Sequence, residues 1–485
     1  MTKRRVQTRR RAHSPFYGLR RVPQAYAPRY ARARVIPLAP ALVLAAGATI
    51  AAGSPLIPPP LRPLIADKAT RLSAEVNDRS QKLFFDQPGL DTLVVRSAAR
   101  VAGQVARAGR AWLCLQARLG RPQNAARAAE MIPLLPSRGY DALMTLILTM
   151  GTATGLLRGG PVSSRVIYDS ARDGMRMPHV SGETRKPQVR HLRPPKTLGD
   201  MASDIDDLYW AMMRGQCVKV TRVGQGRHRR WIMALPGTDH FGLPSNPNPA
   251  DIESNVREAL GLPSGIRIGV LSALHAAMDA DGIPLEQRSR ERVFIAGHSQ
   301  GGMIGVAFAS ENPEEAGVNV VGLLTMGAPA RRRRIRPDVT MIAIEHDQDV
   351  VPSMDGAPGR APDHRVVVGR RLVRPRHFPL NYAHSSSTYN ETVHLLDRKV
   401  DIAPWGRLGE AARKLREFFP ERDEESRVTI HEVWQEVLEP TQADTWDTFI
   451  SLDRPEWEPV EYDLEWAPGG GAMKPEHMEG GKNNG

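Results

Sequence analysis

Val293-Phe294-Ile295-Ala296-Gly297-His298-Ser299-Gln300-Gly301-Gly302 reads as a buried apolar strand that ends in G-x-S-x-G and turns directly into a helix. This is the pattern of a nucleophile elbow. A tight strand-to-helix turn holds the serine at a strained backbone position and lifts its hydroxyl above the sheet edge, and only small neighbours fit around it. Gly297 and Gly301 supply those neighbours, and Met303 to Ala309 continues as a helix of small and apolar residues. The amide of Gln300 falls at the helix N-terminus, where an unpaired N–H and the positive end of the helix dipole favour an oxyanion. An ordinary Gly-rich turn lacks the strand before it and the helix after it.

A serine activated in this way needs an acid and a histidine, in that order, downstream. Val320 to Gly327 and Val339 to Ile344 are two further buried apolar runs with strand character. The second exits into Glu345-His346-Asp347-Gln348-Asp349-Val350-Val351-Pro352, which puts carboxylates beyond the carboxyl end of a strand, where sites form in open α/β sheets. Asp349 is the preferred acid, because Val-Val-Pro after it makes a rigid turn; Asp347 and Glu345 are its competitors. Val366 to Val368 would be the next strand, and the loop after it carries His384, the preferred general base. His377 and His394 are the alternatives, while His298 and His346 read as packed or solvated. The expected division of labour is Ser299 as nucleophile, His384 as base and then acid, and Asp349 orienting the ring.

Upstream, Trp231 to Leu235 runs into Pro236-Gly237-Thr238-Asp239. Gly237 permits a sharp exit, and the amide of Thr238 is the expected second oxyanion donor beside that of Gln300, with Asp239 as the alternative and a plain strand-ending turn as the bland account. Cys217 to Val223 alternates and joins the Trp231 strand through Gly224-Gln225-Gly226, so the pair predicts a hairpin.

Together, Pro236-Gly237-Thr238, Gly297 to Gly302, Glu345 to Pro352, and His384 with Tyr389 resemble the serine α/β-hydrolases close to class 3 lipases, and most of all a set of uncharacterised hydrolases of high-GC bacteria. The resemblance covers about residues 200 to 400 and is most specific at the elbow. It implies an α/β-hydrolase fold, a mostly parallel sheet with helices on both faces, and serine-esterase chemistry. It does not fix the substrate, since lipases, esterases, thioesterases and peptidases share the fold. The loop Asp239 to Ala250 is rich in Asn and Pro and lacks the amphipathic lid helix of fungal lipases, which argues against interfacial activation through such a lid.

The 485 residues divide into a basic arm with an apolar segment (1–66), a helical region (67–162), a linker (163–198), the catalytic domain (199–400), and a C-terminal extension, helical and then acidic (401–485). The arm holds 12 Lys/Arg and no Asp/Glu, so of the formal +13 only +1 remains for the rest. That near-neutral body argues against nucleic-acid binding as the main role. Within Val35 to Ile57 the uninterrupted apolar core, Ala41 to Gly53, is 13 residues long, short of the roughly 20 needed to span a bilayer. It suits a signal-like or interfacial segment, or the start of a disordered arm with a Pro-rich linker. Residues 1–57 are therefore the expected route to membrane association or export, with a cytoplasmic protein as the alternative.

Ala142 to Leu157 is apolar over 16 residues and reads as a buried helix. Arg331-Arg332-Arg333-Arg334 follows the strand ending at Gly327 and offers contacts for an anionic substrate, a solvated turn being the bland alternative. Cys114 and Cys217 show no metal spacing and allow at most one disulfide. No dinucleotide fingerprint is present, and neither metal nor cofactor is expected. The expected activity is hydrolysis of a small-molecule or lipid ester by a Ser-His-Asp triad. Its rivals are a membrane- or nucleic-acid-binding protein with an inactive hydrolase-like domain and, among enzymes, a thioesterase or peptidase.

Overall fold

The computed structural model describes residues 19–20, 81–119, 136, 138–179, 188–211, 213–242, 245–357, 364–375, 378–402 and 406–438. Apart from Leu19 and Arg20, the basic arm with its apolar segment lies outside the described residues, as do His377 and everything beyond 438. The strands are β1 (Leu19–Arg20), β2 (Gly159–Asp169), β3 (Gln216–Val223), β4 (Arg230–Leu235), β5 (Arg292–His298), β6 (Asn319–Met326), β7 (Thr340–His346), β8 (Val366–Arg370) and β9 (Ser426–Val437). The principal helices are α1 (Leu90–Leu119), α2 (Gly139–Ala153), α3 (Leu198–Leu208), α4 (Ile252–Leu260), α5 (Gly265–Asp279), α6 (Gln300–Ser310), α7 (Pro379–His384), α8 (Ser386–Ile402) and α9 (Arg407–Arg416).

All strands join one mixed sheet in the order β1-β8-β7-β6-β5-β4-β3-β9-β2. The centre, β4 to β8, is parallel. Its strands read as continuous apolar runs because helices cover both of their faces. Ile232, Ala234, Phe294 and Ala296 pack with residues of α3, α8 and α9. Their chain neighbours Trp231, Met233, Val293 and Ile295 pack with residues of α5 and α6 on the other side. This period-two alternation between two cores makes the architecture α/β.

Antiparallel strands flank that centre. The expected hairpin is β3 and β4, paired from Lys219↔Ala234 to Val223↔Arg230. Two strands were not expected. β2 straddles the end of the expected helical region (67–162) and the start of the linker (163–198), and β9 lies in the C-terminal extension, yet β9 sits between β3 and β2 and pairs with both. The sheet therefore reaches well past residues 199–400. Polar residues mask β9: His431 and Glu432 are buried, and Glu432 is matched by Arg165 at 2.7 Å and by the amide of Gly215 at 2.8 Å. In β2, register shifts at Val162 and at Tyr168 break the alternation that a strand reading relies on.

Helices α1 and α2 cross in close contact, since a Cβ on Gly139 would lie 2.1 Å from the carbonyl of Ala99. The apolar run over α2 is only partly buried: Tyr140, Ala142 and Leu148 are inside, whereas Leu146, Ile147 and Met150 face solvent. Among the described residues no single helix is long and apolar enough to cross a membrane. Cys114 is exposed and Cys217 buried, and both are free thiols.

Candidate active site

Ser299 sits between β5 and α6 with φ 51° and ψ −118°, a backbone state that L-residues seldom occupy. The glycines around it have no room for a side chain. A Cβ on Gly297 would lie 2.3 Å from the carbonyl carbon of Gly301, and one on Gly237 would lie 2.6 Å from the Cβ of Ser299. The amide of Ser299 donates to the carbonyl of Met326 at 2.8 Å, which ties the turn to the end of β6.

Three side chains converge above this turn. His384 Nε2 lies 3.0 Å from Ser299 Oγ, and its Nδ1 lies 2.8 Å from Asp349 Oδ2. Asp349 is buried; Tyr389 donates its hydroxyl to Oδ2 at 2.7 Å and the amide of Val351 donates to Oδ1 at 3.0 Å. Val-Val-Pro thus forms a short helical turn over Val351–Ser353 that holds Asp349 through the Val351 amide. Of the competing carboxylates, Glu345 accepts from Arg331, and both ring nitrogens of His384 are taken up by Asp349 and Ser299. His394 lies on α8 with Nε2 against Ser203 Oγ at 3.0 Å, on the α3 side of the helix.

His298 and His346 hold the His384 segment in place. His298 Nε2 donates to the carbonyl of His384 at 2.8 Å, and His346 Nδ1 donates to the carbonyl of Ala383 at 2.7 Å. Two consecutive carbonyls are therefore clamped by two buried imidazoles. On their other nitrogens, His298 accepts from the Tyr209 hydroxyl at 2.7 Å and His346 faces Thr392 Oγ1 at 2.8 Å. Tyr209 in turn accepts from the amide of Gly237, so one chain of hydrogen bonds links the loop after β4 to His384, which the structure places at the end of helix α7 and not in a loop. Burial holds both rings neutral: His298 is pushed well below the usual imidazole range, with the nearby His384 adding to the shift, and His346 is pushed down to about 4.

The depressed value has a stability consequence. The unfolded chain takes up a proton on His346 near pH 6.5, whereas the folded chain refuses it until about 4. Stability is therefore lost as pH falls through that window, by about 3 kcal/mol for this group. Urea unfolding between pH 7 and pH 4 measures it, and a folded His346→Gln variant should have a shallower slope over the same range. An unchanged slope in that variant would refute the assignment.

Neither candidate oxyanion amide, that of Gln300 nor that of Thr238, donates to an acceptor among the described residues. The amide of Asp239, the alternative, is already bonded to the carbonyl of Ala250 at 3.0 Å. Sequence reasoning missed the residue that spans the two donors. Asn255 on α4 accepts from Gln300 Nε2 at 3.0 Å and donates to Thr238 Oγ1 at 2.8 Å. Its only signal in the sequence is a polar helix that buries Glu253, Ser254 and Glu258. Asn255→Ala should lower kcat about tenfold with KM little changed, because the donors then lose their common strut and matter most in the transition state. Steady-state kinetics on a soluble ester decide this; a change in KM alone would contradict it.

The arginine cluster corrects an expectation. Arg331 is buried and paired with Glu345 at 2.6 Å, Arg332 pairs with Asp141 and lies over the Tyr140 ring, and Arg333 faces Glu258 and Glu311 at 3.6 and 3.7 Å. Carboxylates of the protein itself neutralise these three charges, which leaves only Arg334 exposed. Arg331, Arg332 and Arg333 thus brace the loop after β6 through pairs within the protein. Among the described residues no group of three or more His, Cys, Asp or Glu side chains is arranged to hold a metal ion. Comparison with protein-family models, with curated proteins and with solved structures finds no match to the chain.

Proposed function

We propose that this chain is a serine hydrolase of α/β-hydrolase architecture that cleaves an ester through a covalent acyl-enzyme. The observation that carries the reading is the unbroken contact from Ser299 Oγ through both nitrogens of His384 to Asp349, at 3.0 and 2.8 Å, on a serine held at positive φ. In this reading His384 Nε2 takes the proton of Ser299 as Oγ attacks the carbonyl carbon. The carbonyl oxygen becomes an oxyanion that the amides of Gln300 and Thr238 receive. When the tetrahedral intermediate collapses, His384 returns the proton to the departing alcohol. Water then repeats the sequence on the acyl-enzyme and releases the acid and free Ser299. Asp349 keeps the Nδ1 proton on the ring and stabilises the imidazolium.

The same set attacks thioesters and amides, so the ester is distinguished by measurement. A series of p-nitrophenyl esters of increasing acyl length should give a burst of nitrophenol followed by slower turnover, with one acyl group on the Ser299 peptide by mass spectrometry. Matched thioesters and anilides of the best acyl chain then rank the leaving groups. Absence of turnover on every acyl length by well-folded protein would contradict the reading.

A further inference from the structure

Helix α1 carries a surface that the hydrolytic reading does not use. Val101, Val105, Trp112 and Leu115 are 60, 63, 59 and 50 % exposed. At 100° per residue they fall within about 80° of one another on the helix. Arg100, Arg107 and Arg118, also exposed, form a second row about 110° to one side. No Asp or Glu occurs anywhere from Thr92 to Leu119. The opposite side of the helix is spoken for: it buries Gly103, Ala106 and Leu113 and crosses α2 at Gly139. The packed neighbour α2 adds exposed Leu146, Ile147 and Met150, with no charged residue from Ala142 to Leu157.

The pair of helices is fastened at the candidate active-site edge of the sheet. Ser353 donates to Asp91 at the start of α1, Tyr140 at the start of α2 donates to the carbonyl of Met354, and Asp141 holds Arg332. Ser353 and Met354 follow Asp349 by four and five residues.

We infer that the exposed face of α1 docks on an anionic lipid bilayer and holds this edge of the protein against it. An apolar row beside a cationic row matches the boundary between acyl chains and anionic headgroups, where each row has its own partner. A nucleic acid would satisfy the arginines and leave Trp112 and the valines uncovered. A second copy of the chain would bring more arginines to this face and no carboxylate for them. The surface is distinct from the basic arm and from the triad, and the inference stands apart from the hydrolytic reading.

Cys114 lies about 145° from the centre of the apolar row, so the full chain carries Cys114→Ser with Ala108→Cys: Ala108 is exposed within that row and Cys217 is buried, and a polarity-sensitive maleimide dye then attaches at one place. The probe is a vesicle of mixed diether phosphatidylglycerol and diether phosphatidylcholine, whose ether bonds resist hydrolysis. The emission of the labelled chain should shift to the blue on the mixed vesicles and not on phosphatidylcholine alone. Val105→Asp with Trp112→Asp should abolish the shift. Arg100→Gln with Arg107→Gln, both exposed, should weaken the apparent affinity about thirtyfold. Flotation with the vesicles without any change in the dye at position 108 would show that the arm alone binds, and would overturn the inference. So would an equal shift on neutral vesicles, on DNA, or on raising the protein concentration with no vesicles present. Fluorophosphonate labelling of the same sample without vesicles tests the hydrolytic reading separately.

Discussion

Ser299→Ala is expected to lower kcat on a soluble ester by about 10⁶-fold and to leave the fold intact. Alanine removes only Oγ, whose partner among the described residues is His384 Nε2 at 3.0 Å, and the turn remains anchored through the bond from the Ser299 amide to Met326. Whatever rate remains would come from the oxyanion amides and binding. Ser299→Gly separates chemistry from strain. A residue at φ 51° costs about 1–3 kcal/mol unless it is glycine, so the glycine variant should be as inactive as the alanine variant and more stable than it. Chemical denaturation of the two variants, beside their turnover, measures both effects. A glycine variant less stable than the alanine variant would show that the elbow stores no backbone strain.

Asp349→Asn is expected to cost about 10⁴-fold in kcat, although the amide is nearly the shape of the carboxylate. The reason lies in what Asp349 accepts. Oδ2 takes the Tyr389 hydroxyl and the His384 Nδ1 proton, and Oδ1 takes the Val351 amide. Asparagine has one acceptor and one donor in place of two acceptors. If its oxygen faces His384, its NH2 opposes the Val351 N–H in a buried site. If it flips, the NH2 donates to Nδ1 and the ring carries its proton on Nε2, where it cannot accept from Ser299. Either arrangement also costs about 1–3 kcal/mol of stability for the buried group left unmatched. Steady-state kinetics and urea unfolding check the two parts, and a loss of kcat below tenfold would mean that Asp349 does not govern the tautomer.

The parallel centre of the fold was legible because β5, β6 and β7 are buried on both faces and therefore read as unbroken apolar runs. The residues that converge at the elbow were legible for a related reason: Ser299 and Asp349 follow such runs, and His384 lies in the segment after β8, although as the last residue of helix α7. β2 and β9 were not, since one carries register shifts and the other buries His431 and Glu432 among its apolar residues. Tyr209, Asn255, and the clamp roles of His298 and His346 were illegible because a hydrogen bond between residues such as Tyr209 and His298, 89 positions apart, leaves no spacing to read. His298 and His346 read as packed or solvated, and they are packed, against the backbone of Ala383 and His384. The arginines at 331–333 misled for the opposite reason. A run of four cations suggests an outside partner, and their partners turned out to be Glu345, Asp141, Glu258 and Glu311 on distant segments.

If Ser299 is an activated nucleophile, the purified full chain treated with a fluorophosphonate probe, beside Ser299→Ala, will show it. One probe per chain on the Ser299 peptide is expected, with no labelling of the alanine variant and slow labelling of His384→Ala. Well-folded protein that takes no label, or takes it at a residue other than Ser299, would contradict it.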